Sequence, residues 1–149
     1  MNILDIKEGN CLRMIGQNLD EFVIVSGINI KENKIVICDA NGESVSLDMA
    51  IAAKYILPIP LSDTILCKLG YIKEDRAVHG LLSADVYSLY FSHFTVEIIN
   101  DENRGWCLVI PSPNSFWGCK LAPTPNLSDL QNILSPLFIY KIDLKLLKK

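Results

Sequence analysis

The sequence predicts an α+β protein in which antiparallel strands dominate and two short helices are added. Three observations support this fold class. Short β-branched segments alternate with turn residues through the first 57 positions, aromatic and β-branched residues crowd 86–99, and apolar residues recur at helical spacing in two places. We therefore expect one compact unit with two parts: an SH3-like β subdomain over 1–57 and an α+β subdomain over 58–149.

Closely spaced short strands make up the first predicted subdomain. Gly27 inside an apolar segment predicts a bulge, and Asn41-Gly42 predicts a hairpin with a type I′ turn. The segment 44–51 alternates polar and apolar residues, which is typical of a half-buried strand. Four or five strands in so short a stretch favour a small, strongly bent antiparallel barrel of the SH3-like kind, and a curled meander is the alternative.

The second predicted subdomain begins with a helix over 62–70. Ser62 or Asp63 can cap it, and Gly70 can end it in a left-handed turn. The segment 73–76 is expected to be an exposed charged connection, and strands follow within 77–122, with a turn or bulge at Ser92-His93. Apolar residues at helical spacing predict a second helix over 127–138.

Composition narrows the classes of function. No run of eighteen apolar residues is present and the N-terminus lacks the pattern of a secretory signal, so we expect a cytoplasmic protein with no membrane span. The net charge of −3 disfavours nucleic acid as a partner, because affinity for nucleic acid comes mostly from neutralising phosphates. The basic cluster at 141–149 is typical of a solvated tail or a last strand.

The cysteines and histidines form no recognisable reactive motif. Five cysteines lie far apart among apolar residues, which is typical of buried thiols in a reducing compartment. A zinc site built from His79, His93, Cys107 and Cys119 has no ligand spacing to support it, so we expect neither a metal nor a cofactor. A nucleophilic pair would combine Cys119 with His93, but a cysteine in such a setting is more often a small apolar filler.

Aromatic residues form the candidate binding site. Phe116 and Trp117 follow the proline-braced loop 111–115, and Tyr87 and Tyr90 lie in the aromatic segment before it. Large rings on a rigid loop supply contact area at low entropic cost. The competing interpretation is that these rings belong to the protein's own core.

Three motifs carry a resemblance to a known family. Gly9-Asn10 precedes the first strand, Pro58–Tyr71 joins the two parts, and Leu130-Gln131-Asn132 lies in the late helix. Together they resemble a family of small uncharacterised proteins carried by phages, prophages and conjugative elements of gut anaerobic bacteria. The chain departs from the family pattern at Ser128-Asp129, where a histidine is common, and in a longer 111–125 region. The resemblance implies an accessory protein acting inside a bacterial cell, and it assigns no catalytic residue.

These observations favour a non-enzymatic binding protein. Its expected partner is a host protein or a small molecule, and blunting a host defence is one role that such a partner would allow. Two alternatives stay open. One is a nucleic-acid-associated protein that uses the β-barrel, and the other is a hydrolase or transferase with Cys107 or Cys119 as its nucleophile.

Overall fold

The computed structural model describes residues 5–75, 85–114, 118–134 and 142–148. Across these residues the fold is α+β, with mostly antiparallel strands in two sheets and a few short helices. The strands are β1 Cys11–Ile15, β2 Asp20–Asn29, β3 Lys34–Cys38, β4 Ser44–Asp48, β5 Ile56–Leu57, β6 Ile72–Glu74, β7 Asp85–Tyr90, β8 Thr95–Asp101, β9 Gly105–Pro111 and β10 Cys119–Pro123. The helices are α1 Met49–Tyr55, α2 Asp63–Lys68, α3 Leu127–Leu134 and α4 Leu144–Lys148.

The chain divides into two units. The first combines Met1–Pro60 with Asn126–Lys149, and the second is Leu61–Pro125. The first division lies close to the boundary at 57/58 that the sequence suggests. The C-terminal segment differs from that scheme, because it groups with the first unit rather than continuing the second. No helix among the residues described is long and apolar enough to cross a membrane.

The first unit contains a five-stranded sheet in the order β4-β3-β2-β1-β5. The register of β2 against β3 shifts between Val25 and Gly27, which confirms the predicted bulge. No pairing between β4 and β5 closes this sheet in the described part of the chain, so the SH3-like barrel stays a prediction. Apolar side chains form a core cluster against the sheet: Ile6, Leu12, Val23, Val25, Ile35, Ile37, Ala52 and Ile56.

The hairpin turn at Asn41-Gly42 is present, but its predicted type is wrong. A type I′ turn needs positive φ at both central residues, whereas in this turn only Gly42 has it, at 88°. The reason is the Asp39 carboxylate, which accepts hydrogen bonds from the backbone N–H of Asn41 at 2.8 Å and of Glu43 at 2.9 Å. This side chain organises a longer turn than a two-residue loop would make.

The prediction of one strand over 44–51 is also wrong in its second half. The strand ends at Asp48, whose carboxylate accepts a hydrogen bond from the backbone N–H of Ala50 at 2.8 Å. This contact caps α1, which runs from Met49 to Tyr55 and buries Ala52. An N-cap aspartate outweighs an alternating pattern here because the pattern spans only a few residues.

The second unit contains a five-stranded sheet in the order β10-β9-β8-β7-β6. Helix α2 confirms the helix predicted in this region: the Ser62 hydroxyl accepts from the Ile65 N–H at 3.3 Å, and Gly70 follows with φ of 90°. The connection predicted at 73–76 is wrong for Lys73 and Glu74, because Ile72–Glu74 pairs with β7 as an edge strand. One face of the sheet carries the core cluster Val86, Ile99, Cys107, Val109 and Cys119.

The C-terminal segment adds two helices. Helix α3 begins at Leu127, as predicted, and is described to Leu134, while the predicted remainder to 138 lies outside the described residues. The basic cluster at 141–149 is not a solvated tail or a strand, because it contains α4. That helix buries Leu144 and Leu147 and packs against β2, so its apolar residues outweigh its lysines.

Candidate functional site

The turn between β7 and β8 presents three aromatic rings to solvent. Tyr90, Phe91 and Phe94 are 57%, 38% and 44% exposed, and we call these residues the aromatic tip. The rings of Phe91 and Phe94 stack with centroids 4.6 Å apart and planes 19° apart. Natural domains bury most of their large rings, so three exposed rings at one turn indicate a candidate interaction site.

The local sequence holds the aromatic tip in place. Ser92-His93 forms the turn predicted there, and the Phe91 N–H donates to the Phe94 carbonyl at 2.9 Å. The turn therefore brings two rings that are three residues apart against each other. Tyr90 lies opposite Thr95 in the ladder, and its hydroxyl donates to the Glu74 carboxylate on β6. The aromatic tip is thus fixed to the neighbouring strands as well as to its own hairpin.

Carboxylates border the aromatic tip. Glu97 pairs with Ser88, which lies on the same face of β7 as Tyr90 because alternate residues of a strand share a face. Ile72 pairs with Ser88 from the other side and is 58% exposed. Glu74 already accepts from Tyr90. Glu74 is therefore the carboxylate that contacts the aromatic tip, and Ile72 on the same strand adds an exposed apolar side chain.

The structure separates the two predicted tyrosines. Tyr87 is fully buried and its ring lies 5.4 Å from that of Trp106, whereas Tyr90 is exposed on the opposite face of β7. Phe116 and Trp117 lie outside the described residues. Phe91 and Phe94 belong to the aromatic segment over 86–99 but were not among the predicted site residues. The Ser92-His93 turn signal was the feature that could have placed them together.

A charged cluster surrounds the buried tyrosine. The Lys73 Nζ lies 2.9 Å from Asp85 Oδ2, 4.0 Å from Asp63 Oδ2 and 5.7 Å from the centroid of the Tyr87 ring. Burial, and then the Asp63 carboxylate, raise the pKa of Tyr87 to about 12. The hydrogen bond to Asp85 raises the pKa of Lys73. Each charge has an opposite neighbour, so the cluster joins α2, β6 and β7.

Two of the buried thiols are held in their protonated form. Burial, and then the Asp101 carboxylate, raise the pKa of Cys107, which works against the thiolate that a nucleophile requires. Cys11 is buried as well, and burial raises its pKa to about 12. The expectation of buried thiols is wrong for Cys67, which is exposed on α2. Within the described ranges no three His, Cys, Asp or Glu side chains are grouped to hold a metal ion, and His79 lies outside those ranges.

Two of the motifs behind the family resemblance meet in the structure. The buried Gln131 side chain of α3 accepts from the Cys11 N–H at 2.7 Å and donates to the Gly9 carbonyl at 2.9 Å. Next to it, the Asn10 side chain donates to Asn132 Oδ1 at 3.0 Å. The amide of Gln131 therefore bonds the start of β1 much as a neighbouring strand would. This polar clamp (Gly9, Asn10, Cys11, Gln131 and Asn132) joins the two ends of the chain.

The fold and the site define a class of protein: an α+β protein of two antiparallel sheets with an exposed, hydrogen-bonded aromatic hairpin. Comparison with models of protein families, with curated proteins and with solved structures gives no match.

Proposed function

We propose that the protein is a non-enzymatic binding module that engages a partner protein through the aromatic tip. One observation carries the proposal: two stacked phenylalanine rings and a tyrosine are exposed together at a hairpin turn. Such rings have few rotatable bonds, so they contribute contact area at a low cost in conformational entropy. The bonds between Phe91 and Phe94 and between Tyr90 and Glu74 reduce that cost further.

We infer further that this binding takes place in the cytoplasm of a bacterial host, where the protein acts as an accessory factor of a phage or another mobile element. The three motifs described above support this origin. All five cysteines are free, and free thiols are typical of a reducing compartment. A host protein is the favoured partner, and blunting a host defence is the proposed consequence of binding it. A small molecule is the alternative ligand.

We propose an SH3-like arrangement for the first sheet. Its support is the strand order β4-β3-β2-β1-β5, the long bulged β2, and the short helix α1 between β4 and β5. Small barrels of this kind also bind nucleic acid, so nucleic-acid binding is the alternative function. The net charge of −3 works against it.

A pulldown from lysate of the host bacterium tests the binding site. The bait is the full chain, compared with a Phe91→Ala/Phe94→Ala variant and with Ile30→Ala as the matched control, since Ile30 is 83% exposed in the first unit. We expect a stoichiometric partner that the control retains and that the double variant loses by roughly tenfold or more, as for hot-spot residues.

Equal retention by both variants would refute the aromatic tip as the binding site. Recovery of no stoichiometric partner, together with no ligand in native mass spectrometry, would refute the binding module itself. Nucleic acid that is recovered at low salt and released as salt rises would instead favour the nucleic-acid alternative.

A further inference from the structure

The four edge strands of the two sheets differ in how well they are protected against pairing with a strand of another molecule. Strand β5 has two residues and is followed by Pro58, β6 has three residues and carries Lys73, and β10 ends with Pro123. Short length, lysine and proline are the usual ways in which proteins block an edge strand. Among the edges that the structure describes, only β4, Ser44–Asp48, has five residues with neither lysine nor proline.

The outer side of β4 leaves part of the core face uncovered. Val45 pairs with the buried Ile37, so its side chain is on the core face of the sheet, yet it is 50% exposed. Leu47 pairs with the buried Ile35 and packs against the core. Ser44 and Ser46 alternate with them on the other face and are exposed. Val45 is therefore an apolar side chain on the core face at the sheet edge, and one more strand paired with β4 would cover it.

We propose that β4 pairs with β4 of a second copy of this chain, antiparallel and about a two-fold axis through Ser46. In this register Ser46 lies opposite the partner's Ser46, Val45 lies opposite the partner's Leu47, and Ser44 lies opposite the partner's Asp48. The two first sheets then form one continuous sheet across the dimer. The two-fold axis makes the interface self-complementary, with the same strand on both sides.

The register follows from symmetry and from the residue pattern. A two-fold axis normal to the sheet keeps each side chain on its own face, so paired residues must come from the same face. This requires one residue of β4 to lie opposite the same residue of the second copy, with the axis between the two. Of the possible centres only Ser46 pairs all five residues of β4. It also places each Val45 against a leucine and no carboxylate against another carboxylate, which favours pairing.

A second copy is favoured over a strand from a different protein because β4 is complementary to itself in this register: apolar residues meet apolar residues and no carboxylate meets another. The sequence of β4, Ser-Val-Ser-Leu-Asp, has one polar-apolar pattern in both directions, so it supplies its own complement. A single pair of five-residue strands buries less surface than a standard stable interface. The dimer is therefore weak and depends on concentration.

Sedimentation velocity over a wide range of protein concentrations tests for the dimer. The wild-type chain is compared with Val45→Lys and with Ile30→Lys, a matched change at an exposed position outside β4. We expect wild type and Ile30→Lys to dimerise as concentration rises. Val45→Lys should dimerise at least about tenfold more weakly, because the symmetric interface loses two apolar cross-strand pairs.

Disulfide trapping tests the register. In a Cys38→Ser/Cys67→Ser background, which removes the exposed thiol and the thiol that lies opposite Ser44 on β3, Ser46→Cys should crosslink to its partner copy on mild oxidation, since directly opposed strand residues lie within disulfide reach. Ser44→Cys is the matched control, because Asp48 of the partner subunit lies opposite it and it should crosslink slowly.

A wild-type chain that stays monomeric at every concentration overturns the proposal. A dimer that Val45→Lys leaves intact, or equal crosslinking by the two cysteine variants, overturns it as well. These outcomes are independent of the aromatic tip, so they leave the proposed binding function to its own test.

Discussion

Replacing Gln131 with alanine should destabilise the first unit strongly, although no apolar side chain is lost. The variant removes two hydrogen bonds, one from the Cys11 N–H at 2.7 Å and one to the Gly9 carbonyl at 2.9 Å. Each bond contributes on the order of 1 kcal/mol, and a buried donor left without an acceptor costs ~1–3 kcal/mol more. Cys11 is fully buried, so its N–H has no water to replace the lost oxygen.

The free energy of unfolding should therefore fall by about 3–5 kcal/mol, which for a chain of this size corresponds to roughly 6–20 °C in Tm. Circular dichroism during thermal and urea unfolding measures the total effect. Hydrogen exchange measures the local one, because the Cys11 amide should lose its protection. Gln17→Ala is the matched control, since Gln17 is exposed.

A Gln131→Glu variant should have a stability that depends on pH. The new carboxylate would face the Gly9 carbonyl, so its charged form is disfavoured and its pKa in the folded state is raised above the unfolded value. The stability of this variant relative to wild type should rise as pH falls through that raised pKa, because the protonated acid can again donate to the carbonyl. If Gln131→Ala unfolds no more easily than Gln17→Ala, the polar clamp does not stabilise the fold and this reasoning is refuted.

Two further predictions concern the second unit. Asp101→Ala should lower the free energy of unfolding by about 1–2 kcal/mol in urea denaturation, because the buried carboxylate accepts from the Asn103 and Arg104 N–H groups at 3.0 and 2.9 Å. Asp20→Ala, which breaks only the exposed ion pair with Arg13, should cost less, and an equal cost would contradict the role given to burial. The pKa of Tyr87 is raised from 10.0 to about 12, so its contribution to stability is complete below pH 10 and is lost as pH rises toward 12. Tyr87→Phe should reduce the alkaline loss in unfolding curves recorded from pH 9 to 12, with the remainder due to the buried thiols of Cys11 and Cys107, whose pKa values are also raised, and an unchanged pH profile would refute the contribution of Tyr87.

Local signals predicted much of the secondary structure. Ser62 and Gly70 bracket α2 as expected, because a helix cap and a left-handed glycine act through their nearest neighbours along the chain. The bulge near Gly27 and the turn at Ser92-His93 are likewise properties of a few adjacent residues. Strand β6 was missed because its three residues gain their place only by pairing with β7.

The candidate site was predicted in part. Tyr90 was named and is exposed at the end of β7, where it contacts Glu74, whereas Tyr87 is buried in the middle of the same strand. Val86 and Ser88 share the face of Tyr90 and are buried, so Tyr90 is exposed because it lies at the end of the strand and not because of the face it occupies. An aromatic residue has the same local pattern in either position, so composition alone could not distinguish the two tyrosines.

The sequence by itself determined the fold class, the places where the chain turns and most strand positions, since these follow from the spacing of apolar residues and from glycine, proline and capping side chains. Only the tertiary structure decided that Gln131 binds the start of β1 and that Val45 stays half exposed. Both depend on contacts between segments that lie far apart in the chain. Such contacts are set by burial and by hydrogen-bond geometry in three dimensions, which no local pattern of residues records.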